Sequence, residues 1–553
     1  MGVASTSEEI DLPTFHTRRR SRTAIPDRVD VAIVGAGLGG LTAAAYLAAA
    51  GHSVAVFDGH YVAGGCATGF ARGSSSERFV FDVGVHYVGE GGPGDRFEQV
   101  LAPIGAQVEF APLDPDGFDR LIFPDFEFHV PTDRGLYRDR LVDLFPEERR
   151  GIDRYMATLA QVQSFHSSLS SSFGRLTPSV AAMMLLRSPR VPAIMATGIT
   201  TATLLDLCTK NPMLRAVLLG QSGDYALPPS EVSPLLHCGL VNHYFDGGAW
   251  YPKGGGQVIA DRIAESVERS GGSIHLQTLV NRILVEGGRA TGVEVSPRGG
   301  DVQTVRAKAV LSNADPRRTM LELVGSEHLP RRAARRAQDW TLSDGIFMTF
   351  LGIKGNVADD GLENCNYWVF DHYDTEALYS SVRANPDQLP QAAYITSASM
   401  KDPDSAGHAP PGYSTVEVMT ALPSAPSWWS VDPAALGDGS YRKDPEYSER
   451  KQRIEDSLIR RLDSMFPGLG QRAIFRESAT PVSHMRYTRA SGCSGYGLAA
   501  TPRQFGLNRP ATRLPVPGLY CAGASCRDGH GVLPAVLSGV TTAKDLMRVL
   551  ASC

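Results

Sequence analysis

Residues Asp30 to Thr68 read DVAIVGAGLGGLTAAAYLAAAGHSVAVFDGHYVAGGCAT, and this stretch limits the possible folds more than any other. An apolar run, Val31 to Val34, leads directly into Gly35-Ala36-Gly37-Leu38-Gly39-Gly40, which satisfies G-x-G-x-x-G. An alanine-rich helical pattern follows, then Gly51, then a second apolar run, Val54 to Phe57, ending in Asp58. Strand, glycine turn, helix, strand and acid is the order of a dinucleotide-binding βαβ unit. The glycines permit the tight turn, let backbone approach a pyrophosphate, and let the helix close on the strand. The pyrophosphate then meets free N–H groups at the positive end of the helix dipole. Asp58 falls roughly 20 residues on, where a carboxylate accepts hydrogen bonds from a ribose.

Two bland readings compete. Val31 to Phe57 carries no Asp, Glu, Lys or Arg, as in a membrane-spanning helix, but four glycines within six residues argue against one. The other is a plain structural βαβ unit. Gly64-Gly65, just beyond Asp58, is a further mark of the dinucleotide reading.

The chain has 553 residues, enough for two or three domains. Lys and Arg number 54 against 59 Asp and Glu, a net charge of −5, so no nucleic-acid partner is implied. Arg18-Arg19-Arg20-Ser21-Arg22 lies in a polar stretch, and residues 1 to 26 are expected to form a disordered tail rather than a targeting segment. The eight cysteines show neither C-x-x-C nor a metal-type Cys/His spacing, so no metal site is expected. Free thiols in a reducing, cytoplasmic setting fit this usage. Cys521 and Cys526 are read as packing residues in preference to a redox pair.

From 95 to 249 the pattern is largely helical. Val191 to Leu205 is uncharged but too short to span a bilayer. With Ala181 to Leu186 it makes either an apolar cap touching a membrane surface or a core and lid pair. Ile259, Ile263 and Val267 then repeat at helical spacing, and Gly271-Gly272 stops that helix. Ile274 to Leu276 and Val280 to Leu284 read as strands. IFMTFLGI, NYWVF, AAYITSAS and STVEVMTAL read as a mostly antiparallel sheet. Residues 445 to 465 read as a charged helix, and Pro534 to Leu550 as a closing one.

Several blocks resemble the flavoproteins that include phytoene desaturases, carotenoid isomerases and retinol saturases, on the fold shared with amine oxidases. They are AGGCATGF, FDVGVHYVGE, WYPKGGGQVIADRI, VLSNADP, SMKDPDSAGHAPPGYSTVEV and GLYCAGASCRDGHGVLPAVLSG, in that order, and the resemblance runs over about residues 28 to 550. It implies an α/β protein: a Rossmann-type, glutathione-reductase-like FAD-binding domain, and an α+β substrate domain of mostly antiparallel sheet with a helical cap. The FAD domain is expected from 27–94, 250–330 and 510–553, and the substrate domain from 95–249 and 331–509. By the resemblance, Gly35, Ala36, Gly37, Leu38, Gly39 and Gly40 cradle the pyrophosphate and Asp58 holds the ribose. Gly64, Gly65 and Cys66 line the flavin end, and Val280 offers backbone to the adenine. Gly523, Ala524, Asp528, Gly531, Val532 and Leu533 close over the ribityl chain and flavin. The family usually has Glu where Asp58 stands, and many relatives have Arg where Cys66 stands.

A flavin exchanges hydride through N5, and an acid or base nearby handles the accompanying proton. His86 and Tyr87, after the Phe81-Asp82-Val83-Gly84 turn, are the first candidates, and Tyr496 and His530 the second. Lys253 is a candidate for stabilising reduced flavin by its charge. The substrate implied is a long apolar polyene or isoprenoid, with Trp250, Trp368, Trp428 and Trp429 either lining its tunnel or filling core. The reaction is a desaturation, a saturation or an isomerisation. No second G-x-G-x-x-G is present, so the electron partner is open. The alternatives are an amine-oxidase-type flavoenzyme, or a prenyl-binding chaperone like the Rab escort and GDI group.

Overall fold

The computed structural model describes residues 24–73, 78–171, 187–405, 407–437 and 439–551. The tail expected for residues 1–26 falls almost wholly outside these, as does the Ala181 to Leu186 part of the apolar cap. Within the described residues, two seven-stranded sheets organise the chain.

The first sheet carries the glycine turn. Arg28–Val34 runs parallel between Val54–Phe57 and Gln303–Ser312. Ser273–His275 extends it on one side, and Leu519–Cys521 pairs with the end of Gln303–Ser312, both parallel. The antiparallel hairpin of Thr278–Glu286 and Arg289–Pro297 continues the other edge. Val31, Ala32 and Ile33 are fully buried because both faces of the sheet are covered, which is why these strands read as unbroken apolar runs. Helices Leu38–Ala49, Gln257–Arg269 and Val532–Leu550 cover one face. Ile259, Ile263 and Val267 all point into that layer, as their spacing predicts. A β-carbon on Gly539 would overlap the carbonyl of Gly39, so these two helices cross with backbones in contact. That crossing brings the 523–531 turn up to the glycine turn.

The second sheet has the order Ala473–Ala479, Gly345–Lys354, Tyr413–Leu422, Ala392–Thr396, Asn366–Phe370, Asp119–Ile122, Glu127–Val130. All its pairings are antiparallel except Asn366–Phe370 with Asp119–Ile122. The 95–249 region is therefore less helical than its pattern suggests. The hairpin of Asp119–Ile122 and Glu127–Val130, and the short strand Phe110–Pro112, come from it. Phe118, Leu121, Phe128 and Val130 are the residues this hairpin buries. AAYITSAS also splits, into the strand Ala392–Thr396 and a helical turn at Ala398–Lys401.

Candidate functional site

Glycine geometry builds the cradle. Gly35 has φ +95°, a conformation that L side chains rarely adopt. Helix Leu38–Ala49 begins at Gly37 with no side-chain cap, so its first N–H groups are left for a ligand. A β-carbon on Gly37 would lie 2.5 Å from Asn313 Nδ2, and one on Gly39 would lie 2.8 Å from the Gly523 nitrogen. Gly64 donates its N–H to the Ala36 carbonyl at 2.7 Å, so the Gly64-Gly65 loop is fastened to the first turn. Asp58 accepts the N–H of Ala36 at 2.7 Å and of His60 at 2.8 Å. It thus braces the turn and keeps lone pairs free for a further donor. Arg489 reaches over Gly59 toward Asp58, with Arg318 beside it; neither cation was singled out in the sequence. Val280 is buried against the same space, and the strand slips register just after it.

Behind the cradle, three of the sequence blocks meet in one buried polar network. Asp82 accepts the Tyr251 hydroxyl at 2.5 Å and the Gly256 N–H at 2.8 Å. Glu417 accepts the Asp82 N–H at 3.0 Å, and its other oxygen is 2.9 Å from His86 Nδ1. Lys401 donates to the His86 carbonyl and to Asn366 Oδ1. Asp402 accepts the Gly254 N–H at 2.7 Å and contacts His408. Burial and the Glu417 charge push the Asp82 carboxyl up. Burial brings the Lys401 ammonium down to about 8.

One cavity of about 1920 Å³ joins the cradle to the second sheet. His86, Tyr87, Tyr496 and His530 all line it, as do Cys66, Asp528 and Gly531 to Leu533. Tyr496 and His530 sit together, ring centroids 4.9 Å apart. Burial and the charge of Arg509 drop the His530 imidazole to about 3, so it is neutral. Leu236, Leu240, Trp368, Phe370, Tyr394 and Met419 supply the far wall. Helix Arg190–Thr197 closes one end through Ile194 and the exposed Met195.

One expectation is corrected by this geometry, and two sets of alternatives are narrowed. Lys253 is not a wall of the cavity: it is half exposed and pairs with Glu109 at 3.5 Å, because the turn at Gly254 and Gly255 aims the chain outward there. The buried lysine is Lys401. Trp428 and Trp429 meet edge to face in the core between the second sheet and helix Pro445–Met465, and Trp250 lies against the core of the first sheet; only Trp368 of the four meets the cavity. Cys521 and Cys526 are buried with sulfurs 3.2 Å apart, a contact their spacing alone did not settle.

Residues missed in the sequence are Asn313, Asp119 and Asp224. Asn313 Oδ1 is buried without a partner at the junction of Gly39 and Gly523. That orphan acceptor and the uncapped helix N-terminus, on a cavity lined by Gly35, Gly37 and Gly39, are the features a flavin dinucleotide fits.

Residues 33–103 match the model of the NAD(P)-binding Rossmann-like domain. All-trans-retinol 13,14-reductase of Danio rerio is 28% identical over 518 residues, spanning 90% of this chain and 83% of that protein. The chloroplastic prolycopene isomerase of Daucus carota is 26% identical over 534 residues, spanning 93% and 79%. Among solved structures, an oxidoreductase from Methanosarcina mazei superposes with a TM-score of 0.60 at 18% identity, covering 94% of this chain and 100% of that one. Putrescine oxidase bound to putrescine superposes at 0.58 and 17% identity, covering 94% and 99%. The solved structures share the fold. The retinol reductase and isomerase relatives, together with the dinucleotide-binding cradle, mark the chain as an FAD-dependent oxidoreductase.

Proposed function

We propose that this chain acts on a carbon–carbon double bond of a long apolar polyene or isoprenoid, with FAD as its cofactor. The observation that carries the reading is the single cavity that runs from the glycine cradle to a wall of Leu236, Leu240, Phe370, Tyr394 and Met419. Such a wall offers a long apolar chain contact along its length. The names of the relatives, a retinol reductase and a prolycopene isomerase, support the same substrate class.

FAD, when bound, supplies hydride exchange at N5. The free N–H groups after Gly37 would hold its pyrophosphate, Asp58 its ribose, and Val280 its adenine. Gly64, Gly65 and Cys66 would face the flavin from one side, and Gly523, Ala524, Asp528 and Gly531 to Leu533 from the other. Asn313 would accept a donor of it through its orphan Oδ1. His86, fixed by Glu417, and Tyr87 would stand on the cavity wall beside the reacting bond.

Incubating the reduced protein without oxygen with all-trans-retinol or with a poly-cis carotene, and separating the products, tests this reading. A saturated or isomerised polyene is expected. Peroxide release on addition of a simple amine, with the polyenes untouched, would sink it in favour of amine oxidation.

Among the described residues no helix is long and apolar enough to cross a membrane. Met195, exposed at one end of the cavity, supports entry of the substrate from a lipid surface. Co-sedimentation with phosphatidylcholine vesicles that weakens in Met195→Glu is expected. Equal sedimentation of both proteins, or none by the wild type, would assign Met195 to the cavity wall alone.

A further inference from the structure

The cavity wall holds an acid that nothing in the sequence singled out. The short turn Ser222–Asp224 sets the Asp224 carboxyl, half-buried, on that wall. Its Oδ2 is 2.8 Å from the Tyr87 hydroxyl. Asp119 Oδ2 is 3.1 Å from the same hydroxyl, and Asp119 is fully buried. Asp119 also accepts Gln221 Nε2 at 2.7 Å and Asn366 Nδ2 at 2.9 Å, and the Trp368 side chain is a further donor beside it. Asn366 is held in that sense because its oxygen accepts Thr396 Oγ1 at 2.9 Å and Lys401 Nζ at 3.2 Å.

The direction of the hydrogen bonds follows. Asp119, surrounded by donors, is the ionised member. The phenol has one hydrogen, and Asp119 takes it. The phenol oxygen is then left as an acceptor, and only a protonated Asp224 can donate to it.

We propose that Asp224 is the proton donor at the reacting double bond, with Tyr87 and Asp119 as the residues that position it and hold its proton. This rests on the polyene reading above. The two pKa directions agree with the hydrogen-bond order. Burial and the Asp119 charge lift Asp224 to about 8, and burial, opposed by donors from Asn366, Gln221, Tyr87 and Trp368, lifts Asp119 only to about 6. The groups that face Asp224 are Tyr87, Tyr225, Tyr244, Tyr379, Tyr394, Tyr496, Asp119 and neutral His530. None of these is a cation that would draw the proton off. Tyr244 stacks on Tyr87 at 4.8 Å, and a β-carbon on Gly223 would overlap the Trp368 ring, so both aromatics press against this pair.

In a reduction the electron pair and first hydrogen arrive as hydride at one alkene carbon, the reduced flavin being the reductant. At the neighbouring carbon a C–H bond forms as the Asp224 O–H bond breaks. Asp224 is left as a carboxylate and regains its proton from solvent once product has gone. Run backward, the same carboxylate is the base of a desaturation.

Asp224→Asn and Tyr87→Phe test the assignment by two readouts. The first needs no turnover: infrared difference spectra should show a protonated-carboxyl C=O stretch at neutral pH that titrates near 8 and is missing in Asp224→Asn. The second is single turnover of the reduced protein with all-trans-retinol. The wild-type rate should fall about tenfold per pH unit above that value, and Asp224→Asn should lower it by about 10²- to 10⁴-fold and flatten the profile, with flavin content unchanged. Tyr87→Phe should shift the titration and the rate profile together. An Asp224→Asn protein with the wild-type rate and profile, or a wild type with no such band, overturns the donor. A wild type that shows the band but never turns over the polyene overturns the functional reading, and the donor role with it.

Discussion

Gly39→Ala is expected to leave a folded protein that no longer retains FAD. The added β-carbon would lie 2.8 Å from the nitrogen and 2.9 Å from the Cα of Gly523, and 2.7 Å from Asn313 Oδ1. Two of those atoms are backbone, so no rotamer relieves the contact. The 523 turn must move away from the helix N-terminus, and both lie on the cavity where the dinucleotide is proposed to sit. A loss of roughly 3 kcal/mol in binding, about 100-fold or more, is the expected size. Gly51→Ala is the matched control. Gly51 also has positive φ, +86°, but its β-carbon would meet nothing within 4 Å. It should cost about 1–2 kcal/mol of stability through the backbone alone and leave the flavin in place. Flavin released by heat and measured against protein decides between the two.

Asp82→Ala should be the most destabilising single change in the polar network. Asp82 is 5% exposed, and its removal strands the Tyr251 hydroxyl and the Gly256 N–H away from water. Each buried orphan donor costs about 1–3 kcal/mol, so a loss of about 4 kcal/mol is expected in chemical denaturation. Asp82→Asn should lose much less. Its carbonyl still accepts from Gly256, and the amide donates to the Tyr251 oxygen. An Asp82→Ala midpoint equal to that of Asp82→Asn would mean that water reaches these donors and the network is not closed.

This network joins several of the family-like blocks in space. FDVGVHY, WYPKGGGQ and SMKDPDSAGHAPPGYSTVEV lie far apart in the chain, yet Asp82, Tyr251, Asp402 and Glu417 bind one another's segments. The three glycines at 254–256 are therefore not a second phosphate cradle. They let the chain pass under Asp82 and Val85, where a β-carbon on Gly256 would lie 2.5 Å from Val85 Cβ.

The cradle was legible because its demands are local. Positive φ at Gly35, close approach at Gly37 to Gly40 and an acid at the end of the next strand are all written within residues 35–58. Ile259, Ile263 and Val267 were legible for the same reason, since one helix face needs only its own spacing. The Asp119–Tyr87–Asp224 group was not legible. Its members stand on a strand of the second sheet, on a loop after Asp82 and on a short turn, and only the fold brings them within 3.1 Å. The one local hint was the polar QSGDY between the apolar runs LRAVLLG and ALPP. The hairpin from 119 to 130 was missed because Pro124-Asp125 interrupts its alternation at the turn. Lys253 was favoured for its neighbours in sequence, whereas its side chain points to Glu109 and solvent.

The most direct test of the account is the visible spectrum of the purified protein, with FAD added if it is colourless, followed through reduction and then anaerobic addition of all-trans-retinol or a poly-cis carotene. Oxidised-flavin bands that bleach with dithionite, with a polyene product formed on the reduced protein, are the predicted result. Folded protein that takes up no FAD yet still binds the polyene would contradict the redox account and leave a lipid-binding role for the same cavity.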